Sequence, residues 1–203
     1  MRQIVCAAVL LLCLAPLVTA ADPAPADLGN PGFEEADEQD GRLLPRGWSN
    51  RFETRAWWGE VLPPGWANAE DRMQNVEVSA SAARSGRLGL AMKTSGGPRL
   101  YVERRFSVAA RSHWWKISAY ARADADGAAW AQLVLFGPRR LAASTEVLLG
   151  KEWKQVSVVV PTPPPGAWLR LVGWVPESPV YWDDVSVEPC AMPKLNEFRQ
   201  PAA

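Results

Sequence analysis

Trp114-Trp115-Lys116-Ile117-Ser118-Ala119-Tyr120-Ala121-Arg122 is the stretch that decides the fold class. Trp115, Ile117, Ala119 and Ala121 recur at every second residue, with Trp114, Lys116, Ser118, Tyr120 and Arg122 between them. A period of two belongs to a strand with one face buried and the other wetted. The same alternation continues outward. Upstream, Val76 and Val78 alternate with Glu77 and Ser79, and Leu88, Leu90 and Met92 with Gly89, Ala91 and Lys93, before Leu100, Val102, Phe106 and Val108. Downstream, Ala131, Leu133 and Leu135 oppose Trp130, Gln132, Val134 and Phe136. Val156, Val158 and Val160 follow Trp153, Leu169 and Leu171 alternate with Trp168, Arg170 and Trp174, and Val180 to Val187 forms the last strand.

Turn signals separate these runs: Ser85-Gly86, Ser95-Gly96-Gly97-Pro98, Gly137-Pro138 and Pro161 to Gly166. No segment carries a 3.6-residue apolar stripe over three turns, and residues 140–149 are the one place where a helical turn is expected. Many short strands, turn signals between them and no internal repeat predict an all-β chain, a two-sheet antiparallel β-sandwich.

The ends read differently from the middle. Arg2, the apolar run Ile4 to Leu17 and the small-x-small triplet Val18-Thr19-Ala20 make residues 1–20 an export signal with Ala21 as the mature start. The run falls short of the roughly 20 apolar residues that span a bilayer. Leu12 before Cys13 argues against lipidation. Residues 21–27 are a Pro/Ala linker, 28–188 the sandwich domain and 189–203 a flexible tail. An exported chain, periplasmic or extracellular and not embedded in a membrane, is therefore expected.

Removal of the signal leaves 183 of the 203 residues, enough for one core. Basic residues drop from 22 to 21 against 22 acidic ones, a balance that offers nothing to nucleic acid or to an anionic membrane. Cys6 and Cys13 leave with the signal, and Cys190 alone cannot form an internal disulfide.

Motifs toward both ends carry a family resemblance. Asn30-Pro31-Gly32-Phe33-Glu34 is followed by Pro45-Arg46-Gly47-Trp48, Arg84-Ser85-Gly86-Arg87-Leu88, Ser118-Ala119-Tyr120-Ala121-Arg122 and the closing Tyr181-Trp182-Asp183-Asp184-Val185-Ser186-Val187. Their order resembles the carbohydrate-binding modules of families 4, 9 and 22, within the galactose-binding-like jelly rolls, over roughly residues 28–188. The resemblance implies a structural Ca²⁺ between the first strand and the last, with Glu34 and one of Asp183 and Asp184 as ligands. Backbone carbonyls near Arg84 to Gly86 complete its shell by the same resemblance. Strand alternation selects Asp183, on the side of Val185 and Val187, while Asp184 turns outward with Trp182. A carboxylate turned inward needs a partner, and a hard cation with oxygen ligands is one. The alternative is that Asp183 caps a turn by accepting backbone N–H groups.

All eleven tryptophans lie in the mature chain, beside a single histidine. Sugar C–H faces stack on aromatic rings and sugar hydroxyls need polar neighbours. Two regions combine these. One is the insertion from Glu53 to Asn75, with Trp57, Trp58 and Trp66 near Glu60, Asn68 and Asp71. The other is the polar face of the central strands, where Trp114, Tyr120, Arg122, Trp130, Gln132, Trp168 and Arg170 are expected to assemble. Trp48, Trp115 and Trp153 read as packing residues, and Trp182 as a cover for a sheet edge.

Catalysis finds no motif. Gly-x-Ser-x-Gly, His-Glu-x-x-His and phosphate-binding glycine loops are absent. The adjacent carboxylates Glu34-Glu35 and Asp183-Asp184 point to opposite faces of a strand and cannot flank one bond. The reading is a monomeric, non-enzymatic module for a glycan. The alternatives are a protein-binding jelly roll and a small glycan-active enzyme.

Overall fold

The computed structural model describes residues 28–39, 41–48, 76–93, 100–108, 112–137, 140–174 and 178–194. The expected signal (1–20) and linker (21–27), Trp57, Trp58 and Trp66 in the insertion, and the tail beyond residue 194 lie outside them. Among the described residues the strands are β1 (Ala36–Gln39), β2 (Arg42–Pro45), β3 (Val76–Ser79), β4 (Gly89–Met92), β5 (Leu100–Phe106), β6 (Trp114–Ala123), β7 (Ala129–Phe136), β8 (Arg140–Ala143), β9 (Val147–Leu149), β10 (Lys154–Pro161), β11 (Ala167–Trp174) and β12 (Val180–Cys190).

One sheet runs β10-β6-β12-β4-β3 and the other β5-β11-β7-β8, with β9 added to β7; β1 and β2 form a separate hairpin. Every pairing is antiparallel. The inner faces meet in one apolar core: Trp115, Ile117, Ala119 and Ala121 from β6 against Leu133 and Leu135 from β7 and Leu169 and Leu171 from β11, all buried. These are the residues whose period of two gives the fold class.

Four local expectations are corrected. Trp182 does not cover an edge: it is fully buried, in register with Ala121, so a large indole stands beside one of the smallest side chains on that face. Residues 140–149 form β8 and β9 rather than a helical turn, because both pair with the otherwise open edge of β7. Ser144 ties the junction, its N–H donating to Leu133 O at 2.9 Å and its Oγ accepting the Leu133 N–H at 3.0 Å. The last strand reaches Cys190 rather than ending at Val187, with Pro189 and Cys190 in register with Trp115 and Trp114. Finally, β4 is buried on both faces. Ala82, in the 3-10 turn Ala80–Ala82, and Tyr181 cover its outer side at Ala91. Gly89 permits that approach, since a Cβ there would stand 2.0 Å from Ala82 O.

Truncation of Trp182 to Ala is expected to cost about 3–5 kcal/mol, read from chemical denaturation. Trp182→Phe costs less, because the indole N–H is buried without a hydrogen-bond partner among the described residues.

Candidate functional site

The corner expected to hold a metal is organised by peptide groups. The register of β12 shifts between Asp183 and Ser186, and Asp184 adopts the left-handed conformation at φ 49°. This bulge breaks the alternation, so Asp183 does not share the side of Val185: it stands opposite Tyr120, on the face away from the core, yet is fully buried. Its Oδ2 accepts N–H from Arg84 at 2.7 Å and Ser85 at 3.0 Å, and its Oδ1 accepts N–H from Asp184 at 2.8 Å. Burial pushes its carboxyl pKa up, and these three N–H bonds pull it partly back. Glu34 Oε1 accepts N–H from Arg87 at 2.7 Å and Leu88 at 3.2 Å. The two carboxylates thus clamp both ends of the 84–88 loop.

Peptide planarity turns the carbonyls of Arg84 and Gly86 away when the next N–H faces a carboxylate. Amide donors, rather than the oxygen atoms that Ca²⁺ takes, converge on this corner. Arg84 and Arg87 add positive charge, through ion pairs with Asp184 and Glu34. In this arrangement both carboxylates accept turn N–H groups, which is the capping role weighed as the alternative to a Ca²⁺ ligand. Among the described residues, no group of three His, Cys, Asp or Glu could hold a metal ion. Gly86 is obligatory here: its φ is +65°, and a Cβ would stand 2.0 Å from Glu34 Oε1.

Tyr120 and Arg122 point away from the core of the β10-β6-β12-β4-β3 sheet, whereas Gln132 and Arg170 point away from the core of the other sheet. The polar residues expected to assemble are thus divided between opposite sides of the sandwich, because each set alternates with core residues of its own sheet. Tyr120 carries the Arg84 guanidinium 3.6 Å from its ring centroid. Arg122 lies over Tyr181 at 4.2 Å and donates to Ser81 O at 2.8 Å, while Tyr181 donates to Asp124 at 2.9 Å. Trp153 packs beside Tyr181. These contacts fasten the 80–88 segment to the sheet.

The outer face of β5-β11-β7-β8 is the candidate site. Register sets its rows. Arg105, Trp168, Phe136 and Arg140 are consecutive partners across β5, β11, β7 and β8. Glu103, Arg170, Val134 and Ala143 form the next row, then Tyr101, Val172 and Gln132, and then Trp130 with Leu148. Arg170 Nε donates to Glu103 Oε2 at 2.6 Å with both side chains at most 5% exposed. The same guanidinium lies 4.1 Å from the Phe136 centroid and 4.5 Å from that of Tyr101. Arg105 stacks 4.4 Å from the Trp168 centroid. Gln132 is held by donation to Ser144 O at 2.9 Å. Phe136 and Trp168 are half-buried and Trp130 is 41% exposed.

Of the polar residues grouped in the sequence, Trp130, Gln132, Trp168 and Arg170 share this face, and Tyr101, Glu103, Arg105 and Phe136, which were not among them, lie on it too. The signal for the last four was the other half of two alternations, Tyr101-x-Glu103-x-Arg105 opposite Leu100 and Val102, and Phe136 opposite Leu135. His113 is exposed, and burial pushes the half-buried Cys190 thiol up, away from the nucleophilic thiolate.

Comparison with solved structures identifies the class of fold. TmCBM61 in complex with beta-1,4-galactotriose matches at 14% identity with a TM-score of 0.52, over 80% of this chain and 97% of that one. The CBM22-1–CBM22-2 tandem domain of Paenibacillus barcinonensis Xyn10C matches at 16% identity with a TM-score of 0.51, over 80% of this chain and 50% of that one. The chain therefore has the jelly-roll fold of carbohydrate-binding modules. No family model and no curated protein matches the sequence. No helix among the described residues is long and apolar enough to cross a membrane.

Two outcomes follow for the corner. Melting temperatures in EDTA and in millimolar CaCl₂ are expected to coincide. Asp183→Asn and Gly86→Ala are each expected to lower stability by about 1–3 kcal/mol in either buffer, one by removing an acceptor and the other by strain.

Proposed function

We propose that this chain is an exported, non-catalytic module that binds a poly- or oligosaccharide on the outer face of the β5-β11-β7-β8 sheet. One observation carries the reading: the aromatic rings of Tyr101, Phe136, Trp168 and Trp130 occupy one sheet face around a buried Arg170–Glu103 pair. Taking a guanidinium and a carboxylate out of water costs more than a surface ion pair returns, so the pair is a poor stability device. Its geometric effect is to hold a cation between two rings and fix both. Rigid aromatic surfaces with polar neighbours suit the alternating C–H faces and hydroxyls of a sugar chain. TmCBM61, which shares the fold, is itself in complex with an oligosaccharide, beta-1,4-galactotriose. Export rests on the signal read over residues 1–20.

A protein ligand is the second reading, favoured by the exposed pair Trp130 and Leu148, which are direct cross-strand partners. A glycan array followed by affinity electrophoresis separates the two, and retention on no polysaccharide overturns the first. Trp168→Ala and Trp130→Ala are expected to weaken glycan binding about ten-fold each or more, with the cooperative melt preserved. Tyr120→Ala is expected to lower stability and leave affinity unchanged. Trp58→Ala and Trp66→Ala, in the same assay, report whether the insertion contributes to binding.

A further inference from the structure

We infer that the ligand is an extended run of sugars held at two separate stations on this face, with its axis along β7 and its middle bridging a closed stretch. This rests on the glycan reading and specifies the form of the ligand.

The outer residues of β7 are Trp130, Gln132, Val134 and Phe136, because Ala131, Leu133 and Leu135 face the core. Only the two ends of that line reach solvent. At one end Phe136 and its β11 partner Trp168 are half-buried. At the other Trp130 and its β9 partner Leu148 are each 41% exposed. Leu148 points outward with Trp130, since Leu149 is buried in the core and Val147 packs against it. The positions between are closed: Gln132, Val134, Arg170, Val172, Tyr101 and Glu103 are all at most 9% exposed.

Six residues of strand separate Phe136 from Trp130, roughly 20 Å at the usual rise. A single sugar covers one station and cannot reach the other. An extended chain of several sugars reaches both. Its second contact then forms within one complex, at the high effective concentration that the first contact imposes. Both stations stand on β7, so the strand fixes their separation and little ordering of the protein opposes binding. A compact glycan that spans less than this distance meets one station only.

The test is calorimetric titration of the full mature chain with beta-1,4-galacto- and xylo-oligosaccharides graded from disaccharide to octasaccharide. Length-graded fragments of any other glycan positive on the array join the series. Affinity is expected to rise about ten-fold or more from the trisaccharide to the octasaccharide. Trp130→Ala is expected to flatten that rise with an unchanged melt, leaving the octasaccharide bound about as weakly as the trisaccharide. Trp130→Phe restores much of the rise. Leu43→Ala, an exposed apolar truncation on the β1–β2 hairpin, leaves it intact. A trisaccharide bound as tightly as the octasaccharide overturns this inference and spares the glycan reading. A full length dependence in Trp130→Ala overturns the assignment of the second station. Binding to no member of any series and to no glycan of the array overturns both.

Discussion

The inward packing of alternate side chains is the constraint on which everything outward depends. Burying Leu133 and Leu135 on β7 and Leu169 and Leu171 on β11 forces Gln132, Val134 and Phe136, and Trp168, Arg170 and Val172, onto the opposite side. A slip of one residue would exchange the two sets, at the cost of the core. The proposed binding face is thus not an addition to the fold. It is the remainder left when the core has been filled.

That remainder is unlike an ordinary wetted sheet face. Tyr101, Val134 and Val172 make a small apolar cluster of their own, with Phe136 and Ala143 packed against it, and the Arg170–Glu103 pair lies in the adjoining row. The opposite sheet uses similar chemistry for a different end. There Arg84 on Tyr120 and Arg122 on Tyr181 bind loop to strand, and the carboxylates of Asp183 and Glu34 gather peptide N–H groups. Arginine stacked on an aromatic ring serves as a fastening on one side of the sandwich and belongs to the proposed binding face on the other.

The sandwich was legible in the sequence because period-two alternation is a local property, and each strand declares its own faces. The pairing of strands is not local. Tyr120 and Arg170 look equivalent in sequence, each polar between core residues, and only the sheet order places them on opposite sides. Glu103 gives no local sign that it meets Arg170, which lies 67 residues on. The bulge at Asp184 was hidden for another reason: Trp182 and Val185 both face inward three residues apart, a break in phase that strict alternation reads as two strand faces. The short strands of residues 140–149 were missed because the edge of β7 supplies their hydrogen bonds, a tertiary effect that outweighs local propensity.

The central claim is that a glycan is bound on the outer face of β5, β11 and β7. The most direct measurement is an amide chemical-shift titration of the ¹⁵N-labelled mature chain with an oligosaccharide selected from the array. The account predicts saturable shifts concentrated on residues 101–105, 130–136 and 168–172, with those around Tyr120, Arg122 and Asp183 unmoved. Shifts concentrated on β6 and β12, or no saturable shift with any glycan, would contradict it.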